Sequence, residues 1–380
     1  MYIKAFILYL LSWIASAATY HQQQPQMINE KQSSSVLFPL SGNVYPEGYY
    51  YVTINIGRPP KPYFLDIDTG SDLTWLQCDA PCKKCTPAPH SLYKPNRNLI
   101  TCQDPICTSL HGPGNHHPCQ TPEEQCDYEV EYADHGSSLG VLVKDSFPLK
   151  FSNGTVVAPL LAFGEQLIIG LICGYDQEVI DAGHVPYTDG VLGLGIGKSS
   201  ILAQLRDMGL TRNVVGHCLS GQGGGYLLFG DGFLPTSGIV WTPIMSQSKY
   251  YSLGSADLRL GGQAANIKGL QIVFDSGSTY SYFSSQAYND LVSLMRNNLN
   301  SKQLKDAVED GSLPVCWKAE RLEAIDFLLF SNVACLASEV GLGNLNVIGD
   351  ISMQDKMVIY DNERQQIGWA QANCNSLPKS

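Results

Sequence analysis

The feature that most constrains this 380-residue chain is an internal echo. Phe64-Leu65-Asp66-Ile67-Asp68-Thr69-Gly70-Ser71 is answered 207 residues later by Gln271-Ile272-Val273-Phe274-Asp275-Ser276-Gly277-Ser278. In each copy a strand-forming run ends in an aspartate at a glycine-containing turn. Each copy also has a downstream partner of two apolar residues and a glycine, Val191-Leu192-Gly193 in the first half and Val347-Ile348-Gly349 in the second. A device repeated at this separation predicts two lobes of like design, made by duplication.

The surrounding texture is β. Only 16% of residues are charged and 44% are apolar, with 36 Gly and 21 Pro. Short apolar or alternating runs bounded by turn residues predict strands at 50–56, 63–67, 73–77, 128–132 and 140–142. Two stretches read as helices, 200–208 and 284–299, the second with Ala287, Leu291, Leu294, Met295 and Leu299 along one face. The expected fold class is therefore all-β with a few short helices. A net charge of −11 argues against a nucleic-acid partner, because neutralising phosphates needs a basic face. Gly190 to Ser199 fails as a phosphate loop, which would need glycine where Leu192 stands. Gly221 to Gly225 reads as a glycine turn entering a strand, and His184 and His217 as structural histidines.

Met1 and Lys4, an apolar run of 11 residues from Ala5 to Ala15 and the Ala15-Ser16-Ala17 cleavage pattern predict a signal peptide over residues 1–17. The alternatives are a buried N-terminal helix and an uncleaved anchor, but the run falls short of the roughly 20 residues that span a bilayer. No hydrophobic tail follows Cys374, so no membrane anchor is expected. Residues 18–47 are polar with almost no periodic signal and read as a short pro-segment or tail. Export makes the even count of 12 cysteines a disulfide framework of six pairs, with seven of them crowded between Cys78 and Cys126 in a stapled insertion. The competing reading is a zinc site on Cys82-x-x-Cys85 with His116-His117. No second C-x-x-C stands at finger spacing, so no metal is expected. Asn153-Gly154-Thr155 is the single glycosylation sequon, with Asn153 the candidate acceptor.

The paired D-T-G-S and D-S-G-S, each completed by its apolar-apolar-Gly element, resemble the pepsin-like aspartic proteases of family A1, whose two lobes each donate one aspartate. FLDIDTGSDLTW from Phe64 to Trp75, the Cys-rich insertion and Cys316-Trp317-Lys318 are similar more narrowly to the nucellin-like aspartic proteases of plants. The likeness runs from Gly48 to Cys374. It implies a bilobal fold with a central cleft, a first lobe over 48–238 and a second over 239–380. It implies a catalytic pair, Asp68 and Asp275, in which two carboxylates share one proton because both cannot ionise cheaply at close range. Gly70 and Gly277 would let backbone N–H groups reach the carboxylates. Thr69 and Ser276 would lock the two loops together, while Ser71 and Ser278 would bond the outer carboxylate oxygens.

A flap is expected from 129–132 and 138–142 around Ala133 to Gly136, with Tyr132 as the flap tyrosine and Trp75 as its indole partner. Asp66, on the strand face of Asp68 but lacking the T-G-S turn, reads as a hydrogen-bonded structural or rim carboxylate. Asp72 reads as a satisfied polar group. Cys316 with Cys335 is the one disulfide pairing expected by name.

These features imply a secretory-pathway aspartic endopeptidase, extracellular, apoplastic or vacuolar, that hydrolyses peptide bonds at acid pH. Polypeptide substrates, a monomer and no cofactor are expected. The alternative is a weak or inactive isoform, or a binding or inhibitor protein of the same fold. Two departures favour it: Glu165 to Ile172 interrupts the family segment AFG-CGYDQ, and only 74 residues separate Asp275 from Gly349 against 125 between Asp68 and Gly193. The second lobe is accordingly expected to be less stable and its prime-side subsites incomplete.

Overall fold

The computed structural model describes residues 34–79, 87–94, 98–111, 119–132, 137–165, 186–257, 259–260, 263–264, 267–299, 305–306, 315–318, 333–336 and 345–378. Residues Ser34–Ser380 form one compact unit. The first half contributes β1 (Val36–Asn43), β2 (Tyr49–Ile56), β3 (Lys61–Asp68), β4 (Trp75–Leu76), helix α1 (Pro105–His111), β5 (Asp127–Glu131), β6 (Ser137–Ser146), β7 (Leu160–Glu165), β8 (Gly190–Gly193), α2 (Ile201–Asp207), β9 (Val214–Leu219) and β10 (Gly225–Phe229). The second contributes β11 (Val240–Pro243), β12 (Ser252–Ala256), β13 (Leu270–Phe274), α3 (Ser285–Leu299), β14 (Leu345–Ile348), α4 (Asp350–Met353), β15 (Lys356–Asp361) and β16 (Gln366–Gln371). The mostly β class expected from sequence is what the chain adopts.

Thirteen strands make one sheet in the order β11-β16-β15-β9-β10-β1-β2-β3-β8-β4-β7-β6-β5. Second-half strands thus extend the first half's sheet through the β9–β15 ladder. A separate three-stranded sheet, β12-β13-β14, belongs to the second half. In each half the strand that ends at an aspartate lies parallel to its downstream partner: β3 beside β8, with Asp68 opposite Gly193, and β13 beside β14, with Phe274 opposite Ile348. Strand alternation sorts β2 and β3 into a fully buried face, including Tyr50, Val52, Leu65 and Ile67, and a partly open face carrying Tyr49, Tyr51, Phe64 and Asp66. The buried face supplies the main apolar core.

Within the segment 18–47, read as a short pro-segment or tail, residues Val36–Asn43 form strand β1. Strand β1 pairs with both β2 and β10, Leu40 facing Val52 on one side and Gly225 on the other. Pro39 and Ser41 blur its alternation, and its ladders to two neighbours hold it where its own pattern does not. Helix α2 begins at an N-cap Ser200, whose side chain accepts from the Ala203 N–H at 3.3 Å. Helix α3 buries Ala287, Leu291 and Val292.

Candidate active site

The two aspartate turns meet where β3 and β13 end. Gly70 N–H donates to Asp68 Oδ1 at 2.7 Å, and Ser71 Oγ donates to Asp68 Oδ2. The second copy repeats this: Gly277 N–H donates to Asp275 Oδ1 at 2.9 Å and Ser278 Oγ to Asp275 Oδ2 at 2.8 Å. Thr69 and Ser276 cross between the copies in a closed set of four bonds. The Thr69 N–H donates to Ser276 Oγ at 3.1 Å and the Ser276 N–H to Thr69 Oγ1 at 2.9 Å. Thr69 Oγ1 donates to the Phe274 carbonyl at 3.3 Å, and Ser276 Oγ to the Ile67 carbonyl at 2.9 Å. Each glycine is packed against the opposite acid: a Cβ on Gly70 would stand 2.6 Å from Asp275 Oδ1, and one on Gly277 2.6 Å from Asp68 Oδ1.

The echo extends further than the sequence reading carried it. Six residues after each aspartate stands a hydroxyl, Thr74 or Ser281, and each accepts the N–H of its half's partner glycine: Gly193 to Thr74 Oγ1 and Gly349 to Ser281 Oγ, both at 3.1 Å. Those glycines are forced by close approach. A Cβ on Gly193 would lie 2.6 Å from the Leu73 carbonyl oxygen, and one on Gly349 only 2.1 Å from that of Tyr280.

The two catalytic candidates lie within hydrogen-bond reach of each other. Burial first, then the charge of Asp275, raises the pKa of Asp68, against the pull of the Ser71 and Gly70 bonds. Beneath them lies an acid the sequence reading missed, Asp350. It is 1% exposed, its Oδ1 has no hydrogen-bond partner, and burial with the nearby charges of Asp66, Asp275 and Asp68 raises its pKa well above the carboxylate range. A signal existed in the sequence, since Gly349 is followed by an acid where Gly193 is followed by Leu194. Tyr360, wholly buried and hydrogen-bonded to the Thr69 side chain, was also not foreseen.

Strands β5 and β6 form the expected hairpin, with Val130 facing Ser138; its tip, residues 133–136, lies outside the described residues. Trp75 Nε1 donates to Tyr132 Oη at 2.6 Å. Burial and the charge of Asp68 raise the Tyr132 phenol well above its ordinary pKa. Asp72 accepts the Gly197 N–H at 2.7 Å, as a satisfied polar group should. The Asp66 carboxyl takes one bond from the Ile67 backbone, while its Oδ1 is buried without a hydrogen-bond partner.

Among the described residues, three disulfides join Cys102–Cys119, Cys107–Cys126 and Cys218–Cys374. Cys82, Cys85, Cys173 and the His116-His117 pair lie outside the described residues, as does most of the 165–172 insertion. Two thiol and imidazole clusters among the described residues, Cys102/Cys107/Cys119 and Cys107/His111/Cys126, draw their cysteines from these disulfides, which offer no thiolate to a metal. The backbone of 315–318 runs antiparallel to 333–336 with Cys316 directly opposite Cys335. Asn153 is exposed at a surface turn, its Oδ1 accepting the Thr155 N–H at 2.9 Å.

Two parallel strand pairs, each ending in a cradled aspartate and clasped to the other, define the bilobal aspartic protease class. The chain belongs to the pepsin-like aspartic proteases, family A1. Among plant members it is similar to an aspartic proteinase of Oryza sativa subsp. japonica, 42% identical over 393 residues covering 92% of this chain and 93% of that one. It is also similar to Aspartic proteinase 39 of Arabidopsis thaliana, 26% identical over 92% of this chain and 80% of that one. Residues 50–231 match the family described as Xylanase inhibitor N-terminal. Two solved structures share the fold: basic 7S globulin from soybean, at TM-score 0.68 and 15% identity over 91% of this chain and 98% of that one, and conglutin gamma from lupine seeds, at 0.66 and 17% over 90% and 96%. No helix among the described residues is long and apolar enough to cross a membrane.

Proposed function

We propose that the chain is an aspartic endopeptidase of the secretory pathway, working at acid pH on polypeptide substrates, with Asp68 and Asp275 as its catalytic residues. The observation that carries this is the completeness of both cradles, with every backbone and hydroxyl donor aimed at a carboxylate present in each copy. Burial favours the proton on Asp68, so at acid pH that carboxyl can donate to the scissile carbonyl. Asp275, half-buried, is placed to take a proton from an attacking water, making it nucleophilic while the carbonyl is polarised. Tyr132, held by Trp75, would cover the bound peptide and exclude solvent. The signal peptide pattern and the cysteine pairing support passage through an oxidising compartment, and Asn153 is the proposed glycan acceptor.

A second reading, a binding or catalytically weak protein of the same fold, is favoured by one set of findings. The solved structures it resembles include seed globulins, and the matched family is described by an inhibitor. The retained Asp68, Asp275 and Tyr132 argue for the enzyme. Cleavage of a peptide library between about pH 3 and 6, where one shared proton can persist on the pair, separates the two. Hydrolysis that pepstatin inhibits and that is lost in both Asp68→Asn and Asp275→Asn is expected. Full activity in Asp275→Asn would refute the catalytic assignment, and absence of any hydrolysis would refute the protease reading.

A further inference from the structure

The two disulfides around α1 gather four sulfurs in one place. The Cys102, Cys107 and Cys119 sulfurs lie within 4.8 Å of one another, although Cys107 is bonded to Cys126 and Cys102 to Cys119. The outer bond meets solvent through half-buried Cys119, whereas Cys107 and Cys126 are sealed, each at 0% exposure. A reductant in solution therefore reaches the outer bond first, and only a neighbouring thiol is placed to reach the inner one. Beside the inner bond stands His111 of α1, its Nε2 3.8 Å from Cys126 Sγ. That bond is also the root of the flap hairpin. Cys126 immediately precedes β5, donating its N–H to the Ile100 carbonyl at 2.8 Å and accepting the Leu142 N–H at 2.9 Å. Cys107 and Cys126 pack in one apolar cluster with Trp75, Tyr128 and Leu142. Trp75 is the residue that holds Tyr132.

We propose that Cys102, Cys107, Cys119 and Cys126, with His111, form a thiol–disulfide exchange centre through which a dithiol reductant opens the tie between α1 and the flap hairpin. In the first step the dithiol gives two electrons to the Cys102–Cys119 bond, leaving two protein thiols, and is itself oxidised to a disulfide. In the second, one of those thiols loses its proton to solvent and its sulfur attacks Cys107 Sγ. A bond from Cys107 to Cys102 or Cys119 forms, the Cys107–Cys126 bond breaks, and Cys126 departs with the electron pair as a thiolate. No further electrons are needed. A protonated His111 beside Cys126 favours that thiolate and so speeds its departure, because a thiol of lower pKa leaves faster. The product keeps α1 cross-linked to its own loop but frees the first residue of the flap root. The exchange stands on the placement of the sulfurs and holds whether or not the chain is a protease.

The test treats the folded, full-length protein with graded dithiothreitol at about pH 8, near the ordinary thiol pKa. Samples are trapped in acid, unfolded and alkylated with a maleimide, and the pairing is read by mass spectrometry. A bond from Cys107 to Cys102 or Cys119 should appear, with Cys126 alkylated, and amides 127–131 should lose protection from hydrogen exchange in the same samples. His111→Gln should slow the appearance of alkylated Cys126 by about tenfold while leaving the opening of Cys102–Cys119 at its wild-type rate. In the double variant Cys102→Ser with Cys119→Ser, Cys126 should stay bonded to Cys107 under the same treatment. If that variant does not fold, the wild-type pairing decides alone. Opening of Cys102–Cys119 with Cys107–Cys126 left intact, loss of both bonds with no crossed bond formed, or unchanged protection of 127–131 in the exchanged protein overturns the proposal.

Discussion

At the scale of single residues, the tightest constraint on the site is the absence of a side chain. Gly70 and Gly277 each press against the carboxylate of the other copy, leaving no room for a methyl group. Gly70→Ala and Gly277→Ala should each reduce kcat/KM by about a hundredfold through misplacement of the pair and cost about 1–3 kcal/mol of stability from overpacking. Steady-state kinetics and thermal melting check both numbers, and unaltered kinetics in Gly277→Ala would show that close packing does not set the geometry. On the proposed flap role, Tyr132→Ala should lower kcat/KM by about one to three orders of magnitude while leaving the melting midpoint close to wild type, because Tyr132 is not among the residues of the core clusters. Wild-type rates in that variant would remove the flap from the mechanism. Much of this site was legible in the sequence, since the chemistry demands an acid, a small hydroxyl, a glycine and a serine in fixed order, twice. Asp350 was not, because its role comes from where β14 delivers it and not from any repeated pattern.

At the scale of elements, legibility followed how much each one owes to itself. Helix α2 announces its start with Ser200, and the β2 and β3 alternation is plain, so both were foreseen. Strand β1 owes its existence to β2 and β10 on either side, and α1 to the two disulfides bracketing it; neither constraint can be seen in a local window. The Cys218–Cys374 bond links β9 to the C-terminal segment across 156 residues. Replacing both cysteines by serine should lower stability by about 3–5 kcal/mol on the chain-entropy account of long loops. The cost should fall on melting and leave the catalytic pH profile unchanged, since neither sulfur approaches the pair; chemical denaturation with and without substrate analogue checks this. A loss below about 1 kcal/mol would mean that the β15–β16 ladder holds the terminus without help.

At the scale of the molecule, the buried acids set the response to pH. Burial raises the folded-state pKa of Asp350, Asp66 and Asp68 above their unfolded values, so the folded protein holds protons that the unfolded chain releases. Their contribution is complete below the ordinary carboxylate range, about pH 4, and is lost as pH rises from there through the folded-state values. The melting midpoint should therefore decline between about pH 4 and 7, and Asp350→Asn, which cannot ionise, should decline less steeply. Equal slopes would show that Asp350 is not the proton reservoir its burial makes it. Acid activity and acid stability would then share one origin.

The four bonds that join Thr69 and Ser276 have an evolutionary consequence. Each loop closes the other half's terminal strand carbonyl, so the two copies, though encoded 207 residues apart, behave as one inherited character. Drift in either is exposed at once in its twin, whereas stretches outside the clasp are free to lengthen or shorten. The alignment with the rice relative runs to 393 positions, more than this chain has residues, so the two chains differ in length in places. A gene of this kind can be remodelled widely in outline before it loses the ability to assemble its centre.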